Sequence, residues 1–107
     1  MKTLKFKSNL VPLILNGSKT VSWRLFDDKN LSNGDNLSFI NSETLKEFTK
    51  AKVVSVVEKT FDEIWKYGYS GHEIYSSKNE MIAKFTDYYK IPLDGKTKVK
   101  IIKFKLQ

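Results

Sequence analysis

Short runs of alternating apolar residues are interleaved with short helical patterns along this chain, in an order that a doubly wound parallel sheet cannot use. Leu4 and Phe6 alternate with Thr3, Lys5 and Lys7, which predicts a half-solvated strand over residues 2–7. The period then lengthens. Ser8 or Asn9 is placed to cap a helix through Leu10–Asn16, with Pro12 in its first turn and Gly17 where a left-handed stop belongs. Val21, Trp23 and Leu25 alternate with Thr20, Ser22 and Arg24 in a second strand, residues 20–25. Asn33-Gly34-Asp35 marks a turn before a short strand at Leu37–Ile40. A loop around Asn41–Lys46 leads to a long strand, Phe48–Val57, whose Val53-Val54-Ser55-Val56-Val57 run is apolar on both faces and so is expected at the sheet centre.

Two capping-box patterns follow, Thr60-Phe61-Asp62-Glu63 and Ser77-Lys78-Asn79-Glu80, each opening a helix. Phe61, Ile64 and Trp65 share a face of the first, and Met81, Ile82, Phe85 and Tyr89 a face of the second, where they are expected in the core. After a Pro92–Gly95 turn, Val99 and Ile101 have one parity and Ile102, Phe104 and Leu106 the other, which predicts a bulge near Ile101–Ile102. The order β-α-β-β-β-α-α-β defines an α+β domain around a small, curved, mostly antiparallel sheet.

With 107 residues the chain fits one domain, since domains commonly run to about 100–200 residues. Cysteine is absent and His72 is the sole histidine. That composition removes disulfides, thiol nucleophiles and Cys-containing zinc sites, and leaves Lys, Ser, Thr, Tyr, Asp and Glu to carry any hydrolytic chemistry. No cofactor or metal is expected. The net charge is +7, and Arg24 is the one arginine among nineteen basic residues. A basic surface suits polyanionic partners, although lysine-rich composition also serves solubility. No apolar run is long enough for a membrane span, and the alternating start lacks a signal-peptide core, so a cytoplasmic location is expected.

The most unusual stretch is Gly17-Ser18-Lys19-Thr20-Val21-Ser22-Trp23-Arg24, where a helix stop delivers a lysine, three hydroxyls and the arginine. Arg24 has the planar fork to grip a carboxylate or phosphate; alternatively it pairs with Asp27 or Asp28. Lys19 is either a solvated helix-end lysine or a tuned base. Strict alternation would send Lys19 and Ser22 to opposite faces, so Lys19 must be placed before regular pleating begins. Trp65, Tyr67, Tyr69 and Tyr75 surround the 68–76 loop, either to stack on an unpaired base or to pack beneath the loop. The lysines at 96, 98, 100, 103 and 105 change face and make no continuous basic track.

With Gly17, Lys19, Ser22 and Arg24 so spaced after a first helix, the chain resembles the ASCH domains, small PUA-like β-barrels with the signature G-x-K-x-x-T-x-R. The likeness extends to Gly34-Asp35, the Val53–Val57 strand, Gly71-His72-Glu73, an aromatic-bearing helix and the last apolar-basic strand, which is nearly the whole chain. It implies a PUA-like barrel with two to three flanking helices. Small bacterial members include amidohydrolases that remove the acetyl group from N4-acetylcytidine with a lysine, a threonine and a glutamate. The resemblance carries these roles onto Lys19, Ser22 and Glu73, with serine in place of threonine. Arg24, Thr20, Tyr69 and His72 are the residues expected to contact substrate or RNA. The implied partner is a modified nucleoside or RNA, bound by a monomer. The alternatives are a non-catalytic RNA-binding module and a ribonuclease using the same cleft.

Overall fold

The computed structural model describes residues 1–27 and 29–107. Asp28, one of the two acids considered for Arg24, lies outside the described residues. The elements are β1 (Lys2–Phe6), a single 3-10 turn (Ser8–Leu10) running into α1 (Val11–Leu15), β2 (Val21–Arg24), β3 (Asn36–Asn41), β4 (Glu47–Thr60), α2 (Phe61–Tyr67), α3 (Lys78–Tyr89) and β5 (Lys98–Leu106). The five strands form one mixed sheet in the order β1-β3-β4-β5-β2, with β1 and β3 parallel and the other pairs antiparallel. It curves into a half-barrel flanked by three helices, an α+β architecture. Among the described residues no helix is long and apolar enough to cross a membrane.

The long β4 lies at the sheet centre, as its valines predict, but they are not buried on both faces. Val53 is buried, whereas Val54 and Val57 are exposed. The register shifts between Val53 and Ser55, so the irregularity sits in β4 and not near Ile101–Ile102. β5 runs unbroken against β2 from Lys100 to Lys103. Its two parities serve two cores instead. Ile102 and Phe104 join Leu4, Phe6, Ile14, Leu37 and Phe39 inside the half-barrel. Val99, with Ile101 packed beside it, faces Val21, Trp23, Leu25, Phe61, Ile64 and Met81 on the other side. A strand covered on both faces needs no bulge to explain apolar residues at both parities.

The helices correct three further expectations. Neither Ser8 nor Asn9 caps α1; Leu10 is its N-cap residue and contributes no side-chain bond. The Ser8 hydroxyl donates instead to Asn41 Oδ1 at 3.0 Å, tying the turn to β3. The Thr60 capping box is complete, with Glu63 N–H on Thr60 Oγ1 and Thr60 N–H on Glu63 Oε1. At Ser77 half of the box forms: the hydroxyl accepts from Glu80 N–H, while the Glu80 carboxylate takes the Ser76 hydroxyl. Trp65 does not share the burial of Phe61 and Ile64.

Candidate active site

The joint between α1 and β2 is built by its backbone. Asn16 N–H donates to Pro12 O, Gly17 takes a positive φ of 85°, and Lys19 N–H turns back onto Leu13 O at 2.9 Å. Regular pairing with β5 begins at Val21, so Lys19 is placed ahead of the pleat and is free of its alternation. The carbonyl of Gly71 then accepts from both Thr20 N–H (2.9 Å) and Val21 N–H (3.1 Å). That clamp draws the 68–76 loop onto the entrance of β2. Only glycine fits there: φ is +70°, and a Cβ would lie 2.1 Å from Thr20 Oγ1.

The clamp brings together groups far apart in sequence. Lys19 Nζ donates to Glu73 Oε2 at 2.6 Å, with the lysine side chain 5% and the glutamate 34% exposed. Burial pushes the Lys19 ammonium below the ordinary lysine pKa, opposed by the hydrogen bond and charge of Glu73, with Arg24 adding to the lowering. Burial alone would lift the Glu73 carboxyl, but the Lys19 hydrogen bond and the neighbouring charges win and hold it below the usual glutamate value. The 2.6 Å contact has the geometry of an ion pair. Lys19 is not a solvated helix-end lysine.

Ser22 is buried and its Oγ accepts from Arg24 Nε at 2.9 Å. Arg24 also donates through Nη2 to the carbonyl of Lys5 at 2.8 Å, and its guanidinium lies 4.9 Å from the Phe6 ring centre. It thus bridges the edge strands β1 and β2, the open seam of the half-barrel. Lys100 holds Asp27 at 3.1 Å. The polar face of β2 is turned into the protein and is not a solvated surface.

Lys19, Ser22, Arg24, His72 and Glu73 line one cavity of about 620 Å³ between β1, α1, β2, the 68–76 loop and α3. Its size falls within the roughly 300–1,000 Å³ of small-ligand sites. Thr20 and Tyr69, both expected to touch substrate, do not line it. Thr20 packs against Gly71, and Tyr69 Oη accepts from Tyr75 N–H at 2.9 Å, folding the loop back on itself. Of the four loop aromatics, Tyr75 reaches the cavity and Trp65 and Tyr67 do not. Trp23, Phe85, Tyr88 and Tyr89 do line it, although the sequence placed them in core positions or left them aside. The signal was present on α3, where residues 85, 88 and 89 fall three and four apart on one face.

No family model and no curated protein sequence matches the chain. A mixed five-stranded half-barrel flanked by helices is an α+β fold. Comparison with solved structures narrows the class, and the fold is that of the ASCH domains. An ASCH protein from Zymomonas mobilis superposes with a TM-score of 0.68 at 15% identity, over 96% of this chain and 65% of that one. The ASCH domain from Lactobacillus crispatus gives 0.62 at 14% identity, covering 98% and 79%. A hypothetical protein, PH0355, gives 0.76 at 23% identity over the full length of both chains. This chain spans about two-thirds of the Zymomonas protein.

Proposed function

We propose that this domain is an amidohydrolase that removes the acyl group from an N4-acylated cytosine nucleoside, with N4-acetylcytidine as the first substrate to test. The observation that carries the reading is the Lys19–Glu73 pair, 2.6 Å apart and lining one cavity with Ser22. An amide needs a nucleophile, an acceptor for its proton and a stabiliser for the oxyanion. Ser22 is buried and anchored by Arg24, which suits a hydroxyl that orients water more than one that attacks. With the pair read as an ion pair and the Glu73 carboxyl held below its usual value, the proton acceptor in this reading is Glu73, and the role of Lys19 changes from base to oxyanion partner.

The steps balance with water as the sole co-reactant. Water oxygen bonds to the acetyl carbonyl carbon as one of its protons passes to Glu73, and the carbonyl oxygen becomes an oxyanion facing Lys19. The C–N4 bond then breaks as Glu73 returns the proton to N4, releasing cytidine and acetic acid, which ionises in solution. Substrate closing over the cavity deepens the burial of Glu73, which raises its proton affinity toward that of a useful base. In this reading the domain acts in the cytoplasm as a monomer, without metal or organic cofactor.

RNA binding without catalysis is the second reading, favoured by Lys5, Lys7 and Lys84 along the cavity wall and the +7 charge. Incubation with N4-acetylcytidine, followed by chromatography for cytidine, separates the two. Cytidine release supports the amidohydrolase. A salt-sensitive RNA shift with no cytidine replaces it with the binding module, and RNA cleavage replaces it with a ribonuclease.

A further inference from the structure

His72 was expected to touch substrate; it lines the cavity, its side chain is only 4% exposed, and its polar contacts go to Glu73. The imidazole stacks on the Trp23 indole at 3.8 Å between centres and 15° between planes. Tyr69 meets it edge-on, and Tyr75 and Phe85 complete the surround. So held, the ring presents Nδ1 to two oxygens of the next residue, the Glu73 carbonyl at 3.1 Å and Glu73 Oε2 at 3.2 Å. Both are acceptors, so the network assigns the proton to Nδ1. Oε2 is also the oxygen that takes Lys19 Nζ.

We propose that His72 is the positioning residue of this site: with Lys19 it occupies Oε2 of Glu73 and leaves Oε1 as the oxygen that faces substrate. This rests on the amidohydrolase reading for its consequence and on geometry for the contact. A glutamate one-third exposed samples several rotamers unless donors fix it, and two donors converging on one oxygen fix both its direction and its free lone pairs. The indole stack fixes the ring in turn. The charged and titratable groups facing His72 are Lys19, Glu73, Tyr69 and Tyr75, while Trp23 from β2 and Phe85 from α3 are uncharged. Burial, seconded by the Lys19 charge, lowers its pKa from 6.5 to about 4, so it stays a neutral N–H donor at physiological pH.

The test pairs kinetics with nitrogen NMR, and the single histidine makes the spectrum unambiguous. In the wild type Nδ1 should carry the proton and Nε2 should not, and Glu73→Gln should shift Nδ1 more than Nε2. His72→Phe keeps a ring on Trp23 but removes the donor, and should lower kcat for N4-acetylcytidine about 10–100-fold with KM nearly unchanged. His72→Asn places an amide N–H near the Nδ1 position and should recover most of that loss. An Nε2–H tautomer, full kcat in His72→Phe, or a folded His72→Asn no better than His72→Phe overturns the proposal. If the wild type releases no cytidine, the amidohydrolase reading fails by itself, and the nitrogen spectrum still decides whether His72 holds Glu73.

Discussion

The two faces of β5 bury different chemistry. Inside the half-barrel, Phe6, Phe39, Phe48 and Phe104 pack ring to ring with aliphatic neighbours. On the opposite face Trp23 packs against His72, Tyr69 and Phe85, beside the ion pair of buried Lys19 and half-buried Glu73. The first core spends its burial on stability. The second spends part of it on desolvating Lys19 and His72, which costs stability and tunes the groups a reaction would use. A small domain can carry both because the central strands are shared, so a reactive cluster is braced by a dry one.

The comparison breaks first where the dry core is cut. Phe39→Ala removes a fully buried ring that touches three others, and should cost about 3–5 kcal/mol in denaturant unfolding. A loss below about 1 kcal/mol would mean that the half-barrel does not brace the fold. The site face should reveal itself through acid. The folded-state pKa of His72 is depressed from 6.5 to about 4, so the unfolded chain binds the proton first. The corresponding stability is present above pH 6.5 and lost as pH falls toward 4, on the order of 3 kcal/mol in all. Glu73, also lowered, adds a loss in the same direction below its ordinary value of 4.5. Urea midpoints at pH 7 and pH 4.5 measure this, and His72→Phe should flatten the upper part of the slope.

A smaller effect isolates the clamp between loop and strand. Gly71→Ala forces a Cβ into Thr20 Oγ1 and an unfavourable positive φ, at a cost of about 1–3 kcal/mol. Because Gly71 O anchors the loop that carries Glu73, activity should fall more than stability does. Equal retention of both would show that the loop finds its place without the clamp.

Much of this could be read along the chain, and the parts that could not have physical reasons. Alternation located β1, β2 and β5, a turn signal β3 and an apolar run β4, and Thr60 with Glu63 announced α2 because a capping box is a local device. The Ser8 cap failed because β3 offers Asn41, a partner 33 residues away. The parity change in β5 looked like a bulge because one-dimensional alternation cannot distinguish a kinked strand from one with a core on each side. At the site, spacing required Lys19 to precede the pleat, and the backbone turn onto Leu13 O meets that requirement. Its partner was not legible from spacing, since Lys19 and Glu73 are 54 residues apart and meet through Gly71. Arg24 was read either as a grip on an anion or as a partner of Asp27 or Asp28; its Nε and Nη2 go to Ser22 and the seam, contacts that spacing along one strand does not show.

The central claim is that the pair of buried Lys19 with half-buried Glu73 is working machinery and not a structural tie. The direct measurement is kcat for N4-acetylcytidine in the wild type and in Lys19→Ala, each shown folded by the same unfolding curve. The account predicts cytidine release by the wild type and a loss of at least about a hundredfold in Lys19→Ala, the scale of one oxyanion partner removed. Undiminished turnover by a folded Lys19→Ala would contradict it.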